Sequence, residues 1–149
     1  MKKVKIFCKE ANRAVYEKML LDGGFELAED ADVSLVENGY VPEYLIAKDN
    51  DQNVLLYIKD IIIIETSGKD IVARSSNGTF KIKYTLEHLE QTLKPAGFFR
   101  ISQSAIIQKS ALERISTGFS MRFHLTLKCG IKTDVTRSYY YTFKDIIGL

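Results

Sequence analysis

Phe98-Phe99-Arg100-Ile101-Ser102-Gln103-Ser104-Ala105-Ile106-Ile107-Gln108 is the stretch that decides how this chain is read. A polar patch, Arg100 to Ser104, is clamped between two apolar anchors, Phe98-Phe99 and Ala105-Ile106-Ile107. The anchors belong in a core, and the polar run between them belongs in a solvent-facing loop.

Working outward, the neighbours on both sides read as short strands. Upstream, Ile61 to Ile64 is a continuous β-branched run, short enough for a buried strand rather than a helix. Tyr44 to Ala47 and Val54 to Tyr57 flank the polar run Lys48 to Asn53, a hairpin signal. Thr66 to Asp70 turns the chain into Ile71 to Arg74, and Ser76-Asn77-Gly78 predicts a tight hairpin loop at Asn-Gly. Phe80, Ile82 and Tyr84 alternate with lysines. One helix interrupts the strands: Thr85 serves as N-cap, Leu86, Leu89 and Leu93 share a face, and Pro95-Ala96-Gly97 ends it. Downstream, Leu112 to Ser116, Arg122 to Lys128 and Ile131 to Thr136 again read as strands. The tail, Tyr139 to Ile147, fits either a strand extension or a short closing helix. The fold class is mainly β, α+β overall.

The first 42 residues follow a different grammar. Lys3 to Cys8 alternates as a half-buried strand does, Ala11, Val15 and Met19 fall at helical spacing, Gly23-Gly24 supplies a stop, and Val33 to Val36 reads as a second strand. This predicts a small β-α-β extension over 1–42 and a separate domain over 43–149. The extension carries six Lys and Arg against eight Asp and Glu, a net of −2, and the rest fifteen against eleven, a net of +4. From Gly97 onward the count is eight against three, so the basic excess sits in the last third. That bias permits nucleic-acid binding without proving it. The basic start is too short and too quickly charged for a signal peptide, and no run approaches a membrane span, so a cytoplasmic protein is expected.

Catalytic and metal chemistry find little support. Gly68-Lys69 lacks the second glycine and the following Ser/Thr of a phosphate-binding loop. Ser102 and Ser104 have no neighbouring base and no nucleophile elbow. Cys8 and Cys129, like His88 and His124, are isolated in sequence, and the cysteines read as small buried hydrophobes. No catalytic residue, metal or cofactor is expected. The polar turns are more informative. Gln pairs bidentately with adenine and Arg with guanine, while Ser and Lys suit phosphate oxygens. Arg100 to Ser104, Thr136-Arg137-Ser138 and the Lys69 turn each hold such groups. Taken alone, each is more often a solvated loop than a reading head.

Four landmarks taken together resemble the LytTR DNA-binding domain, in its order and spacing, from about Glu43 to the end. They are Ile61-Ile62-Ile63-Ile64-Glu65; Tyr84-Thr85-Leu86-Glu87-His88-Leu89-Glu90; Phe98 through Gln108; and Val135-Thr136-Arg137-Ser138-Tyr139. The resemblance implies elongated antiparallel sheets with one or two short helices, whose loops enter successive major grooves of bent double-stranded DNA. Carried over by position, it makes Gln103 and Arg137 the principal base readers, with Lys69 near a third reading position. It places Arg100, Ser102, Ser104, Lys109 and Ser138 at phosphates or in support of the loops.

The chain departs from the family pattern at Ser102, where His is common, at Gln103, where Arg or Asn is common, and at Gln108, where Asn usually sits. These departures imply an atypical target sequence. The resemblance implies a bacterial-type transcription regulator, bound as a homodimer or as two copies on a repeated site. About 40 residues cannot supply the receiver domain that many relatives carry. The extension is expected to help dimerise, to meet an inhibitory protein partner, or to cap a sheet edge. The alternative is a protein-interaction module that kept the fold and lost DNA reading, for which the modest net charge of +2 leaves room.

Overall fold

The alternating residues at the start of the chain do form a strand, β1 (Lys3–Phe7), in the computed structural model, which describes residues 2–149. The chain divides into two compact units, one ending at Tyr40 and the other beginning at Val41. In the first, β1 is followed by α1 (Arg13–Asp22), β2 (Glu26–Leu27) and β3 (Val33–Val36). The strands form a parallel sheet ordered β2-β1-β3. The short β2 was not legible in the sequence. It exists because the Glu26 amide donates to the Lys2 carbonyl and the Ala28 amide to that of Val4. The glycine that stops α1 is Gly24, at φ +86°, while Gly23 stays at −82°.

The predicted stripe on α1 does not enter a core. Val15 and Met19 are 59% and 60% exposed, and Ala11 lies before the helix in a 3-10 turn. A polar tie adds to the buried Val4, Ile6 and Cys8 of this unit. Glu37 accepts hydrogen bonds from the Tyr16 hydroxyl at 2.7 Å, from Asn12 Nδ2 at 2.8 Å and from the Lys9 amide at 3.3 Å. Cys8 is buried as expected, but Cys129 is exposed, in a turn where its own φ is +61°.

The second unit is antiparallel throughout. Its seven-stranded sheet comprises β4 (Tyr44–Asp49), β5 (Gln52–Tyr57), β6 (Ile61–Ser67), β7 (Asp70–Ser75), β8 (Gly78–Ile82), β9 (Phe98–Ser102) and β10 (Ala105–Gln108). The order is β5-β4-β8-β7-β6-β10-β9. A second sheet, β11 (Leu112–Thr117), β12 (Phe123–Leu127) and β13 (Lys132–Val135), follows in chain order. Two turns are tighter than the sequence suggested. Lys48, Asp49, Gln52 and Asn53 belong to strands, leaving Asn50-Asp51 as the turn. Ser75 pairs with Gly78, so the loop is Ser76-Asn77 rather than Asn-Gly, and Ser75 Oγ braces it by accepting from the Asn77 amide.

β6 explains why a four-isoleucine run was needed. A bulge between Ile61 and Ile63 lets Ile61 and Ile64 enter one core cluster while Ile62 and Ile63 enter another. All four are buried, each contributing about 1.5–3 kcal/mol relative to exposure. The first cluster is closed by α2 (Leu86–Thr92), whose Leu86 and Leu89, with Leu93 just beyond, are buried as the periodicity predicts. Thr85 caps it, its Oγ1 accepting from the His88 amide at 3.2 Å. The second cluster is closed by the second sheet and by α3 (Tyr140–Ile147), which settles the tail as a helix. Phe143 of α3 packs against Phe99 and Phe123.

Candidate nucleic-acid interface

Strand register gathers four turns at one end of the second unit. Ser67 pairs with Asp70 around Gly68-Lys69, and Glu65 pairs with Ala105. Ala105 in turn pairs with Ser102 around Gln103-Ser104. The Thr136 amide donates to the Ile101 carbonyl at 3.1 Å, which brings Arg137 beside the Gln103 turn. Val135 pairs with Phe123, so the β11–β12 hairpin tip lies at that same end. Lys69, Gln103, Arg137 and Ser138 are all exposed there. Asp70 is held by Lys81 at 3.2 Å rather than by Lys69.

The loop reads differently from within. Phe98 to Ser102 is strand, with Phe98 and Phe99 turned into opposite core clusters and Ile101 buried, so only Gln103-Ser104 forms the turn. Arg100 bends back on its own chain. Its Nε donates to the Ser102 carbonyl at 2.9 Å, a second guanidinium nitrogen donates to the Gln103 carbonyl, and a third meets Glu90 Oε1 at 3.1 Å. Only 13% of that side chain is exposed. Ser102 is buried, and its Oγ accepts from the Ser104 amide at 3.2 Å. Arg100 and Ser102 therefore shape the turn that displays Gln103. Ser104 is exposed, its hydroxyl 3.3 Å from that of Ser102.

Lys109 stands apart from this group. It follows the other end of β10, where its amide donates to the Gly97 carbonyl and its ammonium to the Ile146 carbonyl near the end of α3. There it offsets the negative end of that helix. Glu90 was missed in the sequence as a site residue. Ten residues separate it from Arg100, and only the packing of α2 against β9 brings them together. The isolated histidines also gain partners: His88 stacks on Tyr84, and His124 Nδ1 lies 2.7 Å from Asp134 Oδ1. Among the described residues no cluster of His, Cys, Asp or Glu could hold a metal, and no helix is long and apolar enough to cross a membrane.

The class that this fold defines is a mainly β domain whose polar end is made of turns, with Arg137 opening a 3-10 turn (Arg137–Tyr139) that leads into α3. The model of the LytTr DNA-binding domain matches residues 51–148, and the chain belongs to that family. It is 27% identical over 100 residues to the sensory transduction protein LytR of Staphylococcus saprophyticus, an alignment covering 67% of this chain and 39% of that protein. With the sensory transduction protein LytT of Enterococcus faecalis it shares 25% identity over 146 residues, covering 98% of this chain and 59% of the relative. The chain thus spans less than two thirds of the length of either. The LytTr DNA-binding domain of a putative methyl-accepting/DNA response regulator from Bacillus cereus superposes with a TM-score of 0.69 at 21% identity, over 72% of this chain and 99% of that one, and shares the fold.

Proposed function

We propose that this protein is a sequence-specific regulator of transcription that reads the major grooves of duplex DNA through β-sheet turns. The observation that carries the reading is the alignment, by strand register, of three exposed turns bearing Lys69, Gln103 and Arg137. Gln103 and Arg137 have the planar paired groups that match adenine and guanine edges, and Lys69 reads a third position. Ser104 and Ser138 supply hydroxyls for phosphate oxygens, while Arg100 and Ser102 fix the turn. Lys109 serves the scaffold. The boundary expected at 42/43, which falls at 40/41 in the structure, separates this reading domain from an extension that regulates it. Exposed Val15 and Met19 support a protein partner for that extension, either a second copy on a repeated site or an inhibitor; sedimentation with and without DNA tells them apart.

The test is selection from a random duplex library with the whole chain. A defined motif is expected, and it loses definition at separate positions when Gln103 or Arg137 becomes Ala. Retention of the unaltered motif by both variants refutes the assignment. Salt-insensitive, motif-free retention refutes DNA reading itself and favours the interaction-module alternative.

A further inference from the structure

Phe119 is 94% exposed, more than any other large hydrophobic side chain described. It sits at the tip of the β11–β12 hairpin, the fourth turn at the polar end, to which sequence patterning assigned no role. Three features fix the shape of this tip. The Gly118 amide donates to the Arg122 carbonyl at 2.8 Å, closing a loop of three residues. Two of those, Ser120 and Met121, hold φ of +59° and +57°, a region that side chains seldom adopt and that recurs at functional sites. The His124 ring, held by Asp134, fills the space beside Gly118 so closely that a Cβ there would lie 2.6 Å from Nε2.

The surroundings say what such a residue meets. Thr117, Ser120 and Arg122 flank it, all exposed, and no carboxylate lies between Arg114 and Asp134 in the chain. Asp134 is itself engaged with His124. A protein interface gathers several apolar anchors in a patch, whereas the flanks of Phe119 are polar or cationic apart from Met121, and the tip lies at the end that holds the Gln103 and Arg137 turns. Apolar side chains presented this way are the ones that wedge between base pairs and kink a duplex, while a neighbouring cation holds the phosphate.

We infer that the Gly118–Arg122 tip is a fourth DNA contact, in which Phe119 inserts at a base step and Arg122 grips the adjoining phosphate. This rests on the DNA-reading proposal and extends it from reading bases to deforming the duplex. His124 and Asp134 act as positioning residues for the tip.

The sequence contains no tryptophan, so Phe119→Trp introduces a single reporter that keeps an aromatic wedge. On titration with the duplex selected by the native chain, its emission should be quenched by stacking, and 2-aminopurine placed at the contacted step should brighten. Phe119→Ala should fold normally, bind about tenfold more weakly and fail to brighten 2-aminopurine, with the salt dependence unchanged. Arg122→Ala should instead flatten the salt dependence. Native affinity and native 2-aminopurine response for Phe119→Ala overturn the inference while leaving the DNA-reading proposal intact. So does a Phe119→Ala defect confined to self-association, which assigns the tip to a protein contact. Failure of the native chain to bind any duplex overturns the underlying proposal first.

Discussion

Arg100 and Glu90 are joined at 3.1 Å, which ties the strand leading into the Gln103 turn to helix α2. The same guanidinium occupies the carbonyls of Ser102 and Gln103, so its charge is spent inside the protein. Replacing Arg100 with Ala should therefore lower stability by about 1–3 kcal/mol, as expected when a largely buried charge-assisted network loses its donor. Chemical denaturation reads that change. In DNA binding the variant should lose discrimination between the selected motif and a scrambled duplex while keeping the native salt slope. A salt slope reduced by about one counterion would show instead that Arg100 touches a phosphate.

Gln103 and Arg137 stand on adjacent turns but on different strands' ends, linked through the Thr136–Ile101 hydrogen bond. They should read separate base pairs. Each single Ala variant is expected to cost about 1–3 kcal/mol against the preferred base and little against others. Competition binding with single-base variants of the selected duplex measures this. Additive losses in the double variant fit two independent contacts. Strong non-additivity would mean that one residue merely positions the other.

Most of the β framework was legible because each strand carries its own signal, as in the Ile61 run and the alternating Phe123, Leu125 and Leu127. The α2 cap and the stop at Gly97 were legible for the same local reason, with Gly97 at φ +90°. What escaped depends on groups distant in sequence. Whether Arg100 faces DNA or its own turn is decided by Glu90 on another element. The exposure of Val15 and Met19 escaped because spacing reports a helix face but not what covers it. Lys109 was grouped with the turn because it is near in number, yet four strand residues carry it to the other end of β10.

Gly118 offers a steric test of the hairpin support. Its prospective Cβ would lie 2.6 Å from His124 Nε2, and the ring cannot swing aside without losing its 2.7 Å contact with Asp134. Gly118→Ala should destabilise the protein by about 1–3 kcal/mol through overpacking. Adding His124→Ala should recover most of that loss by making room, a positive coupling visible in a double-mutant cycle of unfolding free energies. If the second substitution deepens the loss instead, the ring is not the obstacle.

Glu37 makes the first unit sensitive to pH. The Tyr16 hydroxyl, then Asn12, then the Lys9 amide donate to its carboxylate and hold its pKa below the ordinary 4.5. A carboxyl lowered by folding adds stability that is complete above its unfolded value and is lost as pH falls through the lower folded value. The partner shows the opposite sign. The hydrogen bond to Glu37 raises Tyr16 above 10.0, so its contribution is complete below that value and is lost as pH rises through the higher folded one. Amide protection in β1 and β3, corrected for the intrinsic pH dependence of exchange, should therefore be greatest in the broad neutral range and should fall as pH drops below the ordinary 4.5 of Glu37, while that of β6 and β10 changes less. Glu37→Gln should abolish the acid-side change in β1 and β3. Its persistence in that variant would assign the acid sensitivity to another carboxylate.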